Sequence, residues 1–162
     1  MVDGPTNLER AVFAPGHEGF SGRHLRTLDD KFRVVLPAGR WRDHFAEGGK
    51  LTFWIDCLAL WTVRSYDAVT ADILSQERMG IVPDGTYGDL LEDTVDVVPD
   101  GQGRIVLPND LRHDVGIGDK GAEVLLLGRG DRVEIWDRGR REQDRSTRTR
   151  EAAARALRAL KY

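Results

Sequence analysis

One cysteine, Cys57, stands in a chain of 162 residues. A lone thiol excludes an internal disulfide framework and a multi-cysteine zinc site. No apolar run approaches the roughly 18 residues that cross a bilayer. The N-terminal stretch MVDGPTNLERAVFAPGHEGF carries acids early and lacks the positive-then-apolar pattern of a secretory signal. These absences point to a cytoplasmic protein with no membrane partner. The four histidines, His17, His24, His44 and His113, are scattered without metal-ligand spacing. No serine or cysteine nucleophile is placed with His113 and Asp114. The glycines of GIGDKGAE lack the spacing of a phosphate-binding loop and its Lys-Ser/Thr. Cys57 falls in an expected turn beside Asp56, whose charge disfavours a thiolate. The expectation is therefore of no enzyme, no cofactor, no metal and no small-molecule substrate.

What is present suits a folded protein: 40% apolar residues and four tryptophans, in a length that fits one domain or two small fused ones. The formal net charge of −3 argues against a nucleic-acid partner, but the charge is uneven. Residues 138–161 carry nine basic and three acidic side chains, a net of +6, which leaves −9 for residues 1–137. DNA responds to the local field of a patch, so the whole-chain value decides little.

The strongest signal is internal duplication. TLDDKFRVVLPAGRWRDHF, residues 27–45, recurs as VVPDGQGRIVLPNDLRHDV, residues 97–115, in the common frame D-x-x-x-R-[VI]-V-L-P at an offset of 71. Asp29 aligns with Asp100, Arg33 with Arg104, and Pro37 with Pro108; after the proline, a slip of one residue aligns Trp41-Arg42 with Leu111-Arg112. Each copy ends in a strand-like segment closing on tryptophan, CLALWTV and DRVEIWD. Within a copy, the alternation of residues 94–98 reads as a strand. The DGQG cluster reads as a turn, and residues 104–107 as a short strand ended by Pro108, which cannot donate to a ladder. A short helix with Leu111 and Val115 on its inner face follows, stopped at Gly116 and Gly118. A hairpin with strands at residues 123–128 and 132–136 closes the unit. The first copy repeats the plan, with Trp41 and Phe45 as the buried helix pair and Asp56-Cys57 as the hairpin turn. Ser65 is placed to cap a helix after the first unit, and Asp137 to cap a basic helix after the second. Trp54, Trp61 and Trp136 sit in apolar strand context and are expected in the core or at a subunit interface.

A strand, a D-x-x-x-R turn, an LP step, a short helix and a closing hairpin resemble the swapped-hairpin unit of AbrB/SpoVT transcription factors. Two units on one chain, with TLDDK.R first and D.QGRI..P..LR second, resemble more narrowly the MraZ family, over residues 20–142. The resemblance implies an α+β, mainly β fold: two tandem swapped-hairpin units forming a pseudo-twofold β-barrel with short helices, plus a C-terminal helix. The expected organisation is a flexible N-terminal arm (1–19), a first repeat (20–77), a linker (78–90), a second repeat (91–142) and a basic C-terminal helix (143–162). It also implies a sequence-specific, nucleoid-associated regulator of double-stranded DNA, acting on direct repeats near the promoter of a division and cell-wall gene cluster as a ring-like homo-oligomer. Three features depart from the family pattern. Phe32 replaces the glycine of its first turn, the N-terminal arm is longer, and the arginine-rich tail runs past its usual end.

The expected DNA-binding residues are Arg33, Lys31, Arg23, Arg26, Arg104 and Gln102, with Asp29 and Asp100 bracing the motif. An arginine fork bridges guanine O6 and N7 or clamps a phosphate, Gln102 can read adenine, and Lys31 in the turn is placed to reach a phosphate. The bland alternative is that Asp29–Arg33 and Asp100–Arg104 only brace their turns, a pairing worth about 0–1 kcal/mol at a surface. The alternative function is a protein-interaction module of the same fold, antitoxin-like or a regulatory partner, that has lost specific DNA binding. Phe32 and the acids before the second motif favour that alternative.

Overall fold

The computed structural model describes residues 18–147 and 150–160. Most of the expected N-terminal arm, residues 1–17, lies outside the described residues. The order is β1 (Arg23–Thr27), β2 (Arg33–Val35), α1 (Arg40–His44), β3 (Gly49–Trp54), β4 (Cys57–Trp61), α2 (Val63–Arg78), α3 (Thr86–Glu92), β5 (Val95–Val97), β6 (Arg104–Val106), α4 (Asn109–Asp114), β7 (Glu123–Gly128), β8 (Val133–Asp137), α5 (Arg138–Thr147) and α6 (Arg150–Ala159). The fold is α+β and mainly β, as the family resemblance implies. No helix among the described residues is long and apolar enough to cross a membrane.

Six strands form one antiparallel sheet in the order β1-β7-β8-β4-β3-β5. Each unit lends its first strand to the other: β1 pairs with β7 of the second hairpin, and β5 with β3 of the first. The hairpins meet at β4 and β8, where Ala59 faces Glu134. The remaining strands, β2 and β6, pair only with each other, and their central pair is Val34 with Ile105. Those two residues are 71 apart, the repeat offset, so a pseudo-twofold axis passes through the ribbon. The arrangement corrects the barrel expectation. The six-stranded sheet is open at β1 and β5, because the three-residue strands of the ribbon run out at Leu36-Pro37 and Leu107-Pro108 and a proline cannot carry the ladder further.

The main core lies between the sheet and the layer made by the ribbon, α1 and α4. Val34, Leu36, Phe45, Leu51, Leu58, Ile105, Leu107, Val115 and Leu126 are buried there. On the sheet's other face α2 covers Ala59 and Trp61, and α5 packs on β7 and β8 beside Trp136. Trp61 and Trp136 are therefore core residues, and Trp54 is half-buried. The central strand β4 is buried along its whole length, as a strand covered on both faces must be.

Several local expectations shift. The cap of α2 is Thr62, whose hydroxyl accepts from the Ser65 N–H at 3.1 Å, so the helix starts before Ser65. The first hairpin turns at Ile55-Asp56, and Cys57 already pairs with Trp54. Cys57 is thus a buried strand residue, and burial followed by the Glu134 carboxylate pushes its thiol pKa far up. The segment expected as a linker contains α3. Asp137 does cap the helix that follows, α5, and accepts from the Arg140 N–H at 2.9 Å.

Candidate nucleic-acid interface

Each repeat folds its D-x-x-x-R segment into the same turn. Asp29 Oδ1 accepts from the backbone N–H groups of Lys31 (2.9 Å) and Arg33 (2.8 Å), and Oδ2 accepts from Arg33 Nε at 2.8 Å. Asp100 repeats this with Gln102 N–H (2.9 Å), Arg104 N–H (3.0 Å) and Arg104 Nε (2.7 Å). An aspartate suits the place because two oxygens on a short stem reach the backbone of the turn and the arginine at once. The Arg104 N–H leads the set of donors that, against some desolvation, holds the Asp100 carboxyl at about 2. At Asp29 desolvation acts upward, but the Arg33 and Lys31 donors outweigh it and the pKa falls below the ordinary value.

The turns feed into the ribbon, and alternation along its strands sets what faces outward. Val34 and Ile105 point into the core; Arg33, Val35, Arg104 and Val106 point out. The register sets Arg33 beside Val106 and Val35 beside Arg104. The ribbon's outer face is thus a two-by-two checkerboard of arginine and valine. The arginines lie close enough for Arg33 Nη1 to stand 3.9 Å from Asp100 Oδ2. Each is fixed through Nε to its own aspartate and is partly exposed.

The other expected residues divide. Lys31 and Gln102 are exposed at equivalent places in their turns, one at each end of the ribbon. Arg23 is exposed on β1, paired with Leu127. Arg26 is instead a strap: its Nε donates to the Val35 carbonyl at 3.0 Å and its Nη1 to the Leu25 carbonyl at 3.0 Å, tying β1 to the ribbon. His24, next to it, packs edge-on against Trp41 at 5.0 Å. Burial and then Arg26 lower its pKa, so it adds no charge at neutral pH.

Two arginines that sequence reasoning aligned without assigning a role hold the turns from behind. Arg112 on α4 is buried; it donates to the carbonyls of Leu107 (3.0 Å) and Gly118 (2.6 Å) and to Asn109 Oδ1 (2.8 Å). Its guanidinium lies 4.3 Å from the centre of the Phe32 ring. Arg42 on α1 does the same for the other turn: its Nη2 donates to the Leu36 carbonyl at 2.9 Å, and a Cβ on Gly103 would meet its Nε at 2.2 Å. Each unit's helix therefore supports the other unit's turn. Phe32 does not reshape the first turn, whose hydrogen bonds match the second; it caps Arg112. The one-residue slip that aligns Arg42 with Arg112 is the signal that could have pointed to this pair.

Residues 90–159 match the family described as "MraZ protein, putative antitoxin-like". The chain is 34% identical over 119 residues to the transcriptional regulator MraZ of Micrococcus luteus, covering 73% of this chain and 80% of that protein. It is 34% identical over 121 residues to the transcriptional regulator MraZ of Salinispora tropica, covering 74% and 82%. With the protein of the same name from Desulfosudis oleivorans the identity is 28% over 129 residues, covering 78% and 86%. The family match runs to residue 159 and so takes in most of the arginine-rich C-terminal segment.

Proposed function

This chain belongs to the MraZ family, and from that premise we propose that it is a transcriptional regulator that binds double-stranded DNA sequence-specifically. Its targets are direct repeats in the promoter region of a division and cell-wall gene cluster. It acts as a ring-like homo-oligomer in the cytoplasm, on the nucleoid. The observation that carries this reading is the pair of aspartate-braced turns, held side by side on one outward ribbon with Arg33 and Arg104 pre-oriented. A two-stranded ribbon is one of the elements the major groove admits. Lys31 and Gln102 flank it, and Arg23 extends the basic surface along β1. A brace that fixes an arginine before binding lowers the ordering cost of each contact. Repetition of the ribbon around an oligomer adds avidity that an acidic protein otherwise lacks.

The test is fluorescence anisotropy on the gene's own upstream duplex and a shuffled control, with the natural protein and an Arg33→Ala/Arg104→Ala variant. The expected result is a preference for the upstream duplex that weakens steeply with salt and that the folded double variant loses, at about 1–3 kcal/mol per arginine. Equal or absent binding to both duplexes, unchanged by the substitutions, would overturn the reading. One observation favours the second reading, a protein-interaction module: both motif arginines are already ion-paired within the chain. That module predicts neither salt dependence nor duplex preference.

A further inference from the structure

The valines of the ribbon have no role in the turn-and-arginine reading, yet their placement is unusual. The chain buries Val34 and Ile105 to 0% and 1% exposure, while Val35 and Val106, next to them, are 38% and 51% exposed. Val35 and Val106 are 71 residues apart, so the same exposed valine occurs in both repeats. Each stands directly across from the other repeat's motif arginine. An outward β-branched residue stiffens a strand, but on a face meant only for water a threonine would do so equally well.

In the major groove, thymine presents a C5-methyl group beside its O4, and apolar side chains recognise it by contact. The two rows of the checkerboard are two residues apart, about 7 Å along the strands. That distance matches two base-pair steps of about 3.4 Å. We propose that Val35 and Val106 are specificity-determining residues that pack on thymine methyl groups while the adjacent Arg104 and Arg33 take guanine edges or phosphates. The inference rests on the DNA-binding reading above and deepens it. It makes the ribbon a reader of arginine-contacted positions neighboured by thymine, related across the pseudo-twofold axis.

The test replaces thymidine by deoxyuridine throughout the upstream duplex, which removes the methyl groups alone. The natural protein is expected to bind the deoxyuridine duplex more weakly, by about fourfold for each buried methyl group lost, or on the order of tenfold for two. Val35→Ala/Val106→Ala is expected to bind the thymidine duplex about tenfold more weakly and to lose the distinction between the duplexes. Val35→Thr/Val106→Thr keeps side-chain shape, strand propensity and one of the two methyl groups, so a distinction intermediate between those of the natural protein and the alanine variant separates recognition from folding. If the natural protein prefers its upstream duplex yet binds the thymidine and deoxyuridine forms equally, this inference fails and the DNA-binding reading stands. The inference also fails if the methyl effect persists undiminished in the alanine variant. No preference for the upstream duplex at all overturns the reading on which the inference rests, and the inference with it.

Discussion

Phe32 and Gly103 occupy the same place in the two turns, and both have left-handed backbone, with φ 59° and φ 76°. For a residue with a Cβ that conformation costs about 1 kcal/mol or more. Phe32 offsets the strain by covering the Arg112 guanidinium at 4.3 Å, an interaction worth about 0.5–1 kcal/mol where partly exposed. Phe32→Gly should therefore leave stability within about 1 kcal/mol of the natural protein, whereas Phe32→Ala keeps the strain, loses the ring and should fall about 1 kcal/mol below Phe32→Gly. Urea midpoints of the three proteins check this order, and an alanine variant more stable than the glycine variant contradicts it. The bracing aspartates give the turns a pH dependence of defined sign. Asp100 titrates at about 2 in the folded protein, below its ordinary 3.8. A depressed carboxylate contributes stability that is present above the ordinary value and is lost as pH falls from about 4 to about 2. The stability of the natural protein over Asp100→Asn should be complete at pH 7 and vanish near pH 2. Thermal unfolding across that range measures it, and a difference that grows on acidification would refute the assignment.

At the scale of elements, the exchange of β1 onto the second hairpin is the least local feature of the fold, and one glycine permits it. A Cβ on Gly128 would stand 2.3 Å from Ser21 N and 2.4 Å from Ser21 Cα, both backbone atoms that cannot swing aside. Gly128→Ala should unseat the segment that anchors Phe20 through its two 2.8 Å bonds with Gly130, at about 3 kcal/mol, the scale of an overpacked core. Gly101, with nothing within 4 Å of its Cβ position, provides the control: Gly101→Ala should stay within about 0.5 kcal/mol. Hydrogen exchange should place the damage of Gly128→Ala at the amides of Phe20 and β1; unchanged protection there would show that the chain passes Gly128 more loosely. The repeat frame, the short strands, the hairpins and the Asp–Arg turns were legible in the sequence because local pattern and turn chemistry dictate them. Other features depend on tertiary contact. The first hairpin turns one residue early, putting the β-branched Ile55 at φ 60°, against its local preference, and this lets Cys57 enter the buried face. α3 has no buried residue and so leaves no apolar stripe to read. Arg42, Arg112 and the outward valines gain meaning only when the other repeat is placed against them.

Across the whole molecule the charge is divided as the sequence suggests, but the basic end is not uniform. On α5, Arg138 is held by Glu123 at 2.9 Å and by Glu142 at 3.1 Å, and Arg141 by Asp144 at 2.7 Å. Those cations are tied to the folded body. α6 has no buried residue, and its Arg155 and Arg158 are exposed. The segment after Thr147 carries five basic residues and one acidic residue, a net charge that would add sequence-independent phosphate attraction if the proposed DNA binding holds. Ending the chain after Thr147 should accordingly leave the thermal midpoint within about 2 °C, since none of the described residues after Thr147 is buried and a surface change moves stability little. The slope of log affinity against log salt should become shallower by at most about 4.5, about 0.9 for each of five cations. The ratio between the upstream and shuffled duplexes should persist, because the proposed function assigns that ratio to the ribbon. Anisotropy titrations at several salt concentrations, on protein whose mass is checked by light scattering, separate the two contributions. A shortened chain of unchanged mass that binds both duplexes equally would move recognition from the ribbon to the tail, and the braced arginines would then be structural only.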